Sequence, residues 1–230
     1  MQEPVMKHVI PGLFLLILLA NCSSKKAVAP SAGTIELATV GVAVPEGQLM
    51  IFNAPGAYYT FVVKGKNIRN TTSVHPGDPM ALMVDGIFLQ MTTLPISQFI
   101  TTDFSRKADR DILQTHLKYE SEYLGSLIQQ DYKIDQEPLT LDNGRECLIW
   151  MMEVEGLPTQ VLITTAVRPH ILMLSTPLYD GGKMEEDQIL GKLLGAVESV
   201  QQYREPVDPL KLQDSVVKAV AAARKASSGE

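Results

Sequence analysis

Cysteine is nearly absent from this chain. Its 230 residues hold two, Cys22 and Cys147, which excludes a disulfide framework and a cysteine-rich zinc module. Excess positive charge is missing too: 20 Lys and Arg stand against 26 Asp and Glu, a net charge of −6. A general nucleic-acid binder needs a concentrated basic surface to neutralise phosphates, so that class is excluded. Neither G-x-x-x-x-G-K-[ST] nor G-x-G-x-x-G occurs, and there is no G-x-S-x-G nucleophile elbow. The four histidines, His8, His75, His116 and His170, are scattered, and no internal repeat is visible. What is present is ordinary globular composition, 45% hydrophobic and 20% charged, at a length that suits one domain or two small ones.

One apolar run stands out, and it lies at the N-terminus. Lys7 and His8 precede Leu13-Phe14-Leu15-Leu16-Ile17-Leu18-Leu19-Ala20. The run is shorter than the roughly 20 residues a membrane-spanning helix needs and fits the core of a secretory signal. It ends at Leu19-Ala20-Asn21-Cys22, followed by the polar Ser23-Ser24-Lys25-Lys26. That ending resembles the lipobox of bacterial lipoproteins, with Asn21 where Gly or Ala is usual. The resemblance implies cleavage after residue 21, a signal peptide over 1–21, acylation (palmitate among the chains) at Cys22, and a flexible tether over 22–33. Removing 1–21 removes one Glu and one Lys, so the mature chain keeps a charge of −6. Glu3 offsets Lys7, and a start at Met6 instead of Met1 would give a compact Met6-Lys7 beginning.

The next stretch reads as strands. Ile35–Val44, Gln48–Phe52, Tyr58–Val63 and Met80–Met91 are rich in Val, Ile, Tyr and Phe, with turns at Pro45-Glu46-Gly47, Ala54-Pro55-Gly56 and His75-Pro76-Gly77-Asp78. From Lys107 to Gln130 the period changes. Leu113, Leu117, Leu124, Leu127 and Ile128 fall at helical spacing, the only glycine is Gly125, and Asp109 and Asp111 suit a first turn. Pro138-Leu139-Thr140-Leu141 then runs into the hairpin turn Asp142-Asn143-Gly144. Strands over Glu146–Val154, Gln160–Val167 and Ile171–Thr176 complete an antiparallel meander, and Lys183–Tyr203 reads as a second helix. Residues 204–230 read as a peripheral helix and tail, centred on Leu212–Ala226.

Strands, long helix, meander, helix: this order predicts an α+β fold, an antiparallel sheet sandwiched between helices in three layers. Over residues 34–203 it resembles the PsbP-like superfamily, which includes photosystem II extrinsic subunits, a Ran-binding nuclear import factor and bacterial envelope lipoproteins. The residues that carry the resemblance are the hairpin Leu139 to Arg145, the three strands after it and the Ile189–Val200 helix. It implies a non-enzymatic binding or scaffold module, with Gln48–Asp78 a family-specific insertion.

Candidate chemistry is sparse. His116 and Glu120 stand one helical turn apart, with Asp103 the candidate third ligand, but two ligands on one turn fall short of the three or four that zinc takes. The pair reads as a partly exposed ion pair. Cys147 is the one candidate nucleophile, with His170 reachable across the meander, yet its apolar strand favours a buried core residue. Tyr58, Tyr59, Phe61, the Met80–Met91 stretch and Trp150-Met151-Met152 would line a pocket for an apolar ligand or, more simply, fill the core. Asn70-Thr71-Thr72 matches the N-glycosylation pattern, which is irrelevant to a bacterial lipoprotein, and Lys211, Lys218, Arg224 and Lys225 make a mildly basic tail.

The expectation is therefore a non-enzymatic, lipid-anchored cell-envelope protein, attached through Cys22 and facing the periplasm. Its partners would be the membrane, through the acyl chains, and another envelope protein. No cofactor, metal or nucleic acid is expected. A small-ligand carrier is the first alternative, and a hydrolase using Cys147 the second.

Overall fold

A computed structural model of the protein describes residues 38–71, 80–128, 131–179, 184–216 and 218. The apolar run, Cys22, the tether, His75, Arg224 and Lys225 lie outside the described residues.

Among the described residues the elements follow one another in the order β1 (Ala38–Val44), β2 (Gly47–Ala54), β3 (Ala57–Lys64), β4 (Ile68–Asn70), β5 (Met80–Val84), β6 (Ile87–Pro95), α1 (Asp109–Ile128), β7 (Tyr132–Thr140), β8 (Glu146–Val154), β9 (Thr159–Val167), β10 (His170–Leu178), α2 (Glu186–Glu198) and β11 (Gln201–Tyr203). Residues 209–216 are helical as well. The strands form two antiparallel sheets, one of four strands in the order β1-β2-β3-β11 and one of seven in the order β4-β5-β6-β10-β9-β8-β7.

The fold is α+β with the large sheet between two helices, as the element order predicts, and a second, smaller sheet shares a layer with α2. Helix α1 covers one face of the large sheet, packing on β8 and β9. The other face is covered by the small sheet and α2 side by side. Tyr59 of β3 shares a 2.7 Å hydrogen bond with Thr93 of β6, and α2 packs against both β3 and β9. Residues 48–64 are thus part of the core, supplying Met50, Phe52, Tyr59 and Phe61.

Alternation in the meander fixes which core each residue joins. On β8, Cys147 and Ile149 face the small sheet and α2. Leu148, Trp150, Met152 and Val154 face α1. Strands β9 and β10, covered on both faces, are buried almost throughout, so they read as continuous apolar runs. Strand β7 lies at the edge and carries Lys133, Asp135, Glu137 and Pro138, which blunt that edge against further pairing.

The C-terminal end of α2 is tied to the large sheet. Asn143 of the hairpin turn donates to Glu198 O at 2.9 Å, and Arg145 donates to Val200 O at 3.1 Å. The first bond satisfies a carbonyl that the end of a helix leaves without an intrahelical partner, and the second holds the chain just past that end. Ser199 Oγ, just past the helix, accepts from Val62 N at 2.7 Å and so continues the edge of β3.

Three boundaries depart from the sequence reading. Met80–Met91 is not one strand; the two-residue turn Asp85-Gly86, both at positive φ, folds it into a hairpin. Short β4 was not foreseen, and the second helix stops at Glu198, so that Gln201–Tyr203 joins β3 as a strand.

Candidate functional site

The helical His116–Glu120 pair is brought together, with Nε2 and Oε1 3.5 Å apart, but not as a partly exposed pair. Both side chains are buried, on the same stripe of α1 as Ile112, Leu113, Leu117 and Leu124. The Phe99 ring packs on the imidazole at 5.2 Å. Asp103 does not join them; it is exposed and accepts from Ser105, which holds its carboxyl below the ordinary range. Among the described residues, no three His, Cys, Asp or Glu side chains cluster as a metal site would require.

Cys147 and His170 do not meet. Cys147 pairs with Thr165, and Thr165 with Leu172, two residues along from His170. At sheet spacings the two backbones are roughly 12 Å apart. Burial, and Glu146 beside it, push the Cys147 thiol up to about 11, the reverse of what a nucleophile needs. His170 is buried against Phe52, and burial lowers its pKa. Tyr59, Phe61, Met91, Trp150 and Met152 are core residues, so the apolar side chains fill the interior. Lys211 is exposed and pairs with Asp208; Lys218 is exposed.

A concave site among the described residues lies elsewhere. Where the ends of β1 and β2 part from β4, a cleft of about 980 Å³ opens, lined by Gly41, Ala43, Glu46, Gln48, Lys64, Gly65, Lys66, Asn70, Asp85 and Lys192 among others. The β5–β6 turn builds its floor. Asp85 Oδ1 accepts from Lys66 N and Asn67 N, both at 2.9 Å. Lys192 Nζ, reaching from α2, donates to Asp85 Oδ2 at 2.9 Å and to Lys64 O at 3.3 Å. The Lys192 ammonium, with these backbone amides, holds the Asp85 carboxyl below its ordinary range. Among the described residues these are its two acceptors, which leaves one of its three donors for the cleft.

On the opposite wall, Gln48 lies across Gly41. A Cβ at Gly41 would fall 1.7 Å from Gln48 Nε2, so this glycine makes room for the amide. Sequence reasoning did not find this site. Its lysines come from a strand end, a turn and a helix that are 128 residues apart where Lys192 meets Lys64 O. The one local signal was the Asp85-Gly86 turn, hidden in an apolar stretch.

No protein-family model and no curated protein sequence matches the chain. Among solved structures it is similar to the solution structure of cyanobacterial PsbP (CyanoP) from Synechocystis sp. PCC 6803. The match has 12% identity and a TM-score of 0.39, over 76% of this chain and 99% of that one. No helix among the described residues is long and apolar enough to cross a membrane.

Proposed function

We propose that the chain is a non-enzymatic lipoprotein of the bacterial cell envelope, acylated at Cys22 and facing the periplasm. Its folded part, a PsbP-like module, would bind or help assemble another envelope component. The observation that carries the reading is the short apolar run ending at Leu19-Ala20-Asn21-Cys22, followed by a polar tether. Acyl chains there would supply membrane affinity of about 0.8 kcal/mol per buried methylene. A Cys147 hydrolase finds no support in a buried thiol separated from His170 by an intervening strand. A carrier for an apolar ligand finds little in aromatic and methionine side chains already packed against one another.

The test is metabolic labelling with a palmitate analogue, membrane fractionation and crosslinking, run side by side on the wild type and Cys22→Ala. The expected result is labelled, membrane-bound wild type crosslinked to a defined envelope protein, with the variant unlabelled and released. A variant that fractionates and labels like the wild type overturns the anchor. An anchored protein without a crosslinked partner overturns the assembly role.

A further inference from the structure

We propose that the cleft between the β1–β2 end and β4 binds a polar ligand through a phosphate group. The proposal rests on the cleft's geometry and does not require the anchor at Cys22. A volume of about 980 Å³ holds much more than a single ion, and it matches the size of clefts that take small molecules. Its described lining residues are polar or aliphatic, without an aromatic ring.

Its charge selects the ligand. Lys64, Lys66 and Lys192 face Glu46 and Asp85, a surplus of one positive charge on a chain whose net charge is −6. Asp85 is already engaged by Lys192 and two backbone N–H groups, so it competes little for a cation. Lys64 and Lys66 are exposed, and neither ammonium makes an ion pair or hydrogen bond with a described residue. Lys192 is different: it is held in place from below and keeps a donor for the cleft.

Lysine acts as a point charge without the planar fork by which arginine grips a carboxylate, and such an arrangement suits a tetrahedral phosphate. The amides of Gln48 and Asn70 add neutral donors for the ester and hydroxyl oxygens around it. Glu46 sets the polarity of the test, because it is the acid on the rim that makes no ion pair or side-chain hydrogen bond with a described residue. Removing it should help an anion and harm a cation.

Phosphate of this kind comes either from a soluble ester or from a phospholipid headgroup. The full chain is placed in dodecyl maltoside micelles, which carry no phosphate, with co-elution recorded separately as the readout for the anchor. The side-chain amide resonances of Gln48 and Asn70 are then followed by NMR. Glycerol 1-phosphate is titrated in one arm, and phosphatidylglycerol replaces part of the detergent in the other.

Saturable shifts are expected. The Lys64→Gln/Lys66→Gln double variant should weaken them about tenfold, and Glu46→Gln should strengthen them about threefold. Shifts with glycerol 1-phosphate identify a soluble ester, and shifts with phosphatidylglycerol alone identify a headgroup. Both lysines and Glu46 are surface residues outside the core, so the variants fold. The proposal is overturned if neither probe shifts the two amides, or if the shifts ignore the lysine pair and Glu46.

Discussion

The Arg168 guanidinium, in the turn between β9 and β10, grips Asp109 in the first turn of α1. Nε and Nη2 both donate to Asp109 Oδ1, at 2.8 and 2.6 Å. The same group donates to Phe104 O and Ser105 O, each at 3.0 Å, and to Lys107 O. One side chain thus fastens the loop before α1 and the start of the helix to the end of the large sheet. Arg168→Ala is expected to cost about 2–3 kcal/mol in urea unfolding, the range for hydrogen bonds to a charged group, with the pair's one-third exposure keeping the loss from growing larger. Arg168→Lys should recover less than half of this, because an ammonium lacks the fork that reaches both the carboxylate and the carbonyls. Full recovery by lysine would show that charge alone matters here.

The buried His116–Glu120 pair leads to a different expectation. Two polar groups are withdrawn from water beneath α1, among Leu148, Trp150, Met152 and Leu162. Breaking such a pair from one side is costly, whereas replacing both members with apolar groups of similar volume is commonly neutral or stabilising. His116→Leu alone is expected to lose about 3 kcal/mol. The His116→Leu/Glu120→Met double variant should match or exceed the wild type by about 1 kcal/mol or more. A double variant less stable than the single one would show that the pair is worth more than its desolvation cost.

His170 gives the protein a pH dependence whose sign can be worked out. Burial lowers its folded pKa, so the unfolded chain takes up the proton first as pH falls. Its contribution is complete above the unfolded value of about 6.5 and is lost as pH drops from there toward the folded value. The loss is at most about 1.4 kcal/mol per pH unit. His170→Leu should flatten that part of the stability profile between about pH 7 and pH 5. Parallel profiles for the two would rule out His170 as the source.

The elements with strong periodicity were legible in the sequence, and the way they assemble was not. The spacing from Leu113 to Leu124 marks α1, and Asp142-Asn143-Gly144 marks the hairpin, because each signal is local. Whether β2 and β3 join the large sheet or form their own depends on partners such as Thr93 for Tyr59, which no local pattern encodes. Val200 fits the helical stripe of α2, yet the chain has already left the helix there to pair Gln201 with Thr60. The burial of His116 did leave a trace, since it shares the stripe of Leu113 and Leu117. The usual surface role of a His–Glu pair one turn apart outweighed it. The lysines around the cleft had no trace at all: Lys64, Lys66 and Lys192 meet only through the tertiary fold.

Two helical glycines should respond in opposite directions to the same substitution. Gly191 of α2 is exposed, and an added Cβ meets nothing within 4 Å. Alanine there gains helix propensity, so Gly191→Ala is expected to stabilise by about 0.5–1 kcal/mol. Gly125 of α1 carries the same propensity deficit, but Tyr132 lies across it and donates to Ser121 O at 2.9 Å. A Cβ at Gly125 would stand 2.7 Å from Tyr132 Oη and 3.1 Å from Cε1. Tyr132 would have to move and give up its bond, a loss of about 1 kcal/mol with some packing besides, so the steric term outweighs propensity. Gly125→Ala is expected to destabilise by about 1 kcal/mol or more. Adding Tyr132→Leu should turn Gly125→Ala from harmful to favourable, because the ring that blocks the Cβ is gone. Thermal unfolding of Gly191→Ala, of Gly125→Ala and of Gly125→Ala in the Tyr132→Leu background decides the matter. If Gly125→Ala stabilises with Tyr132 in place, the ring does not lie across the helix.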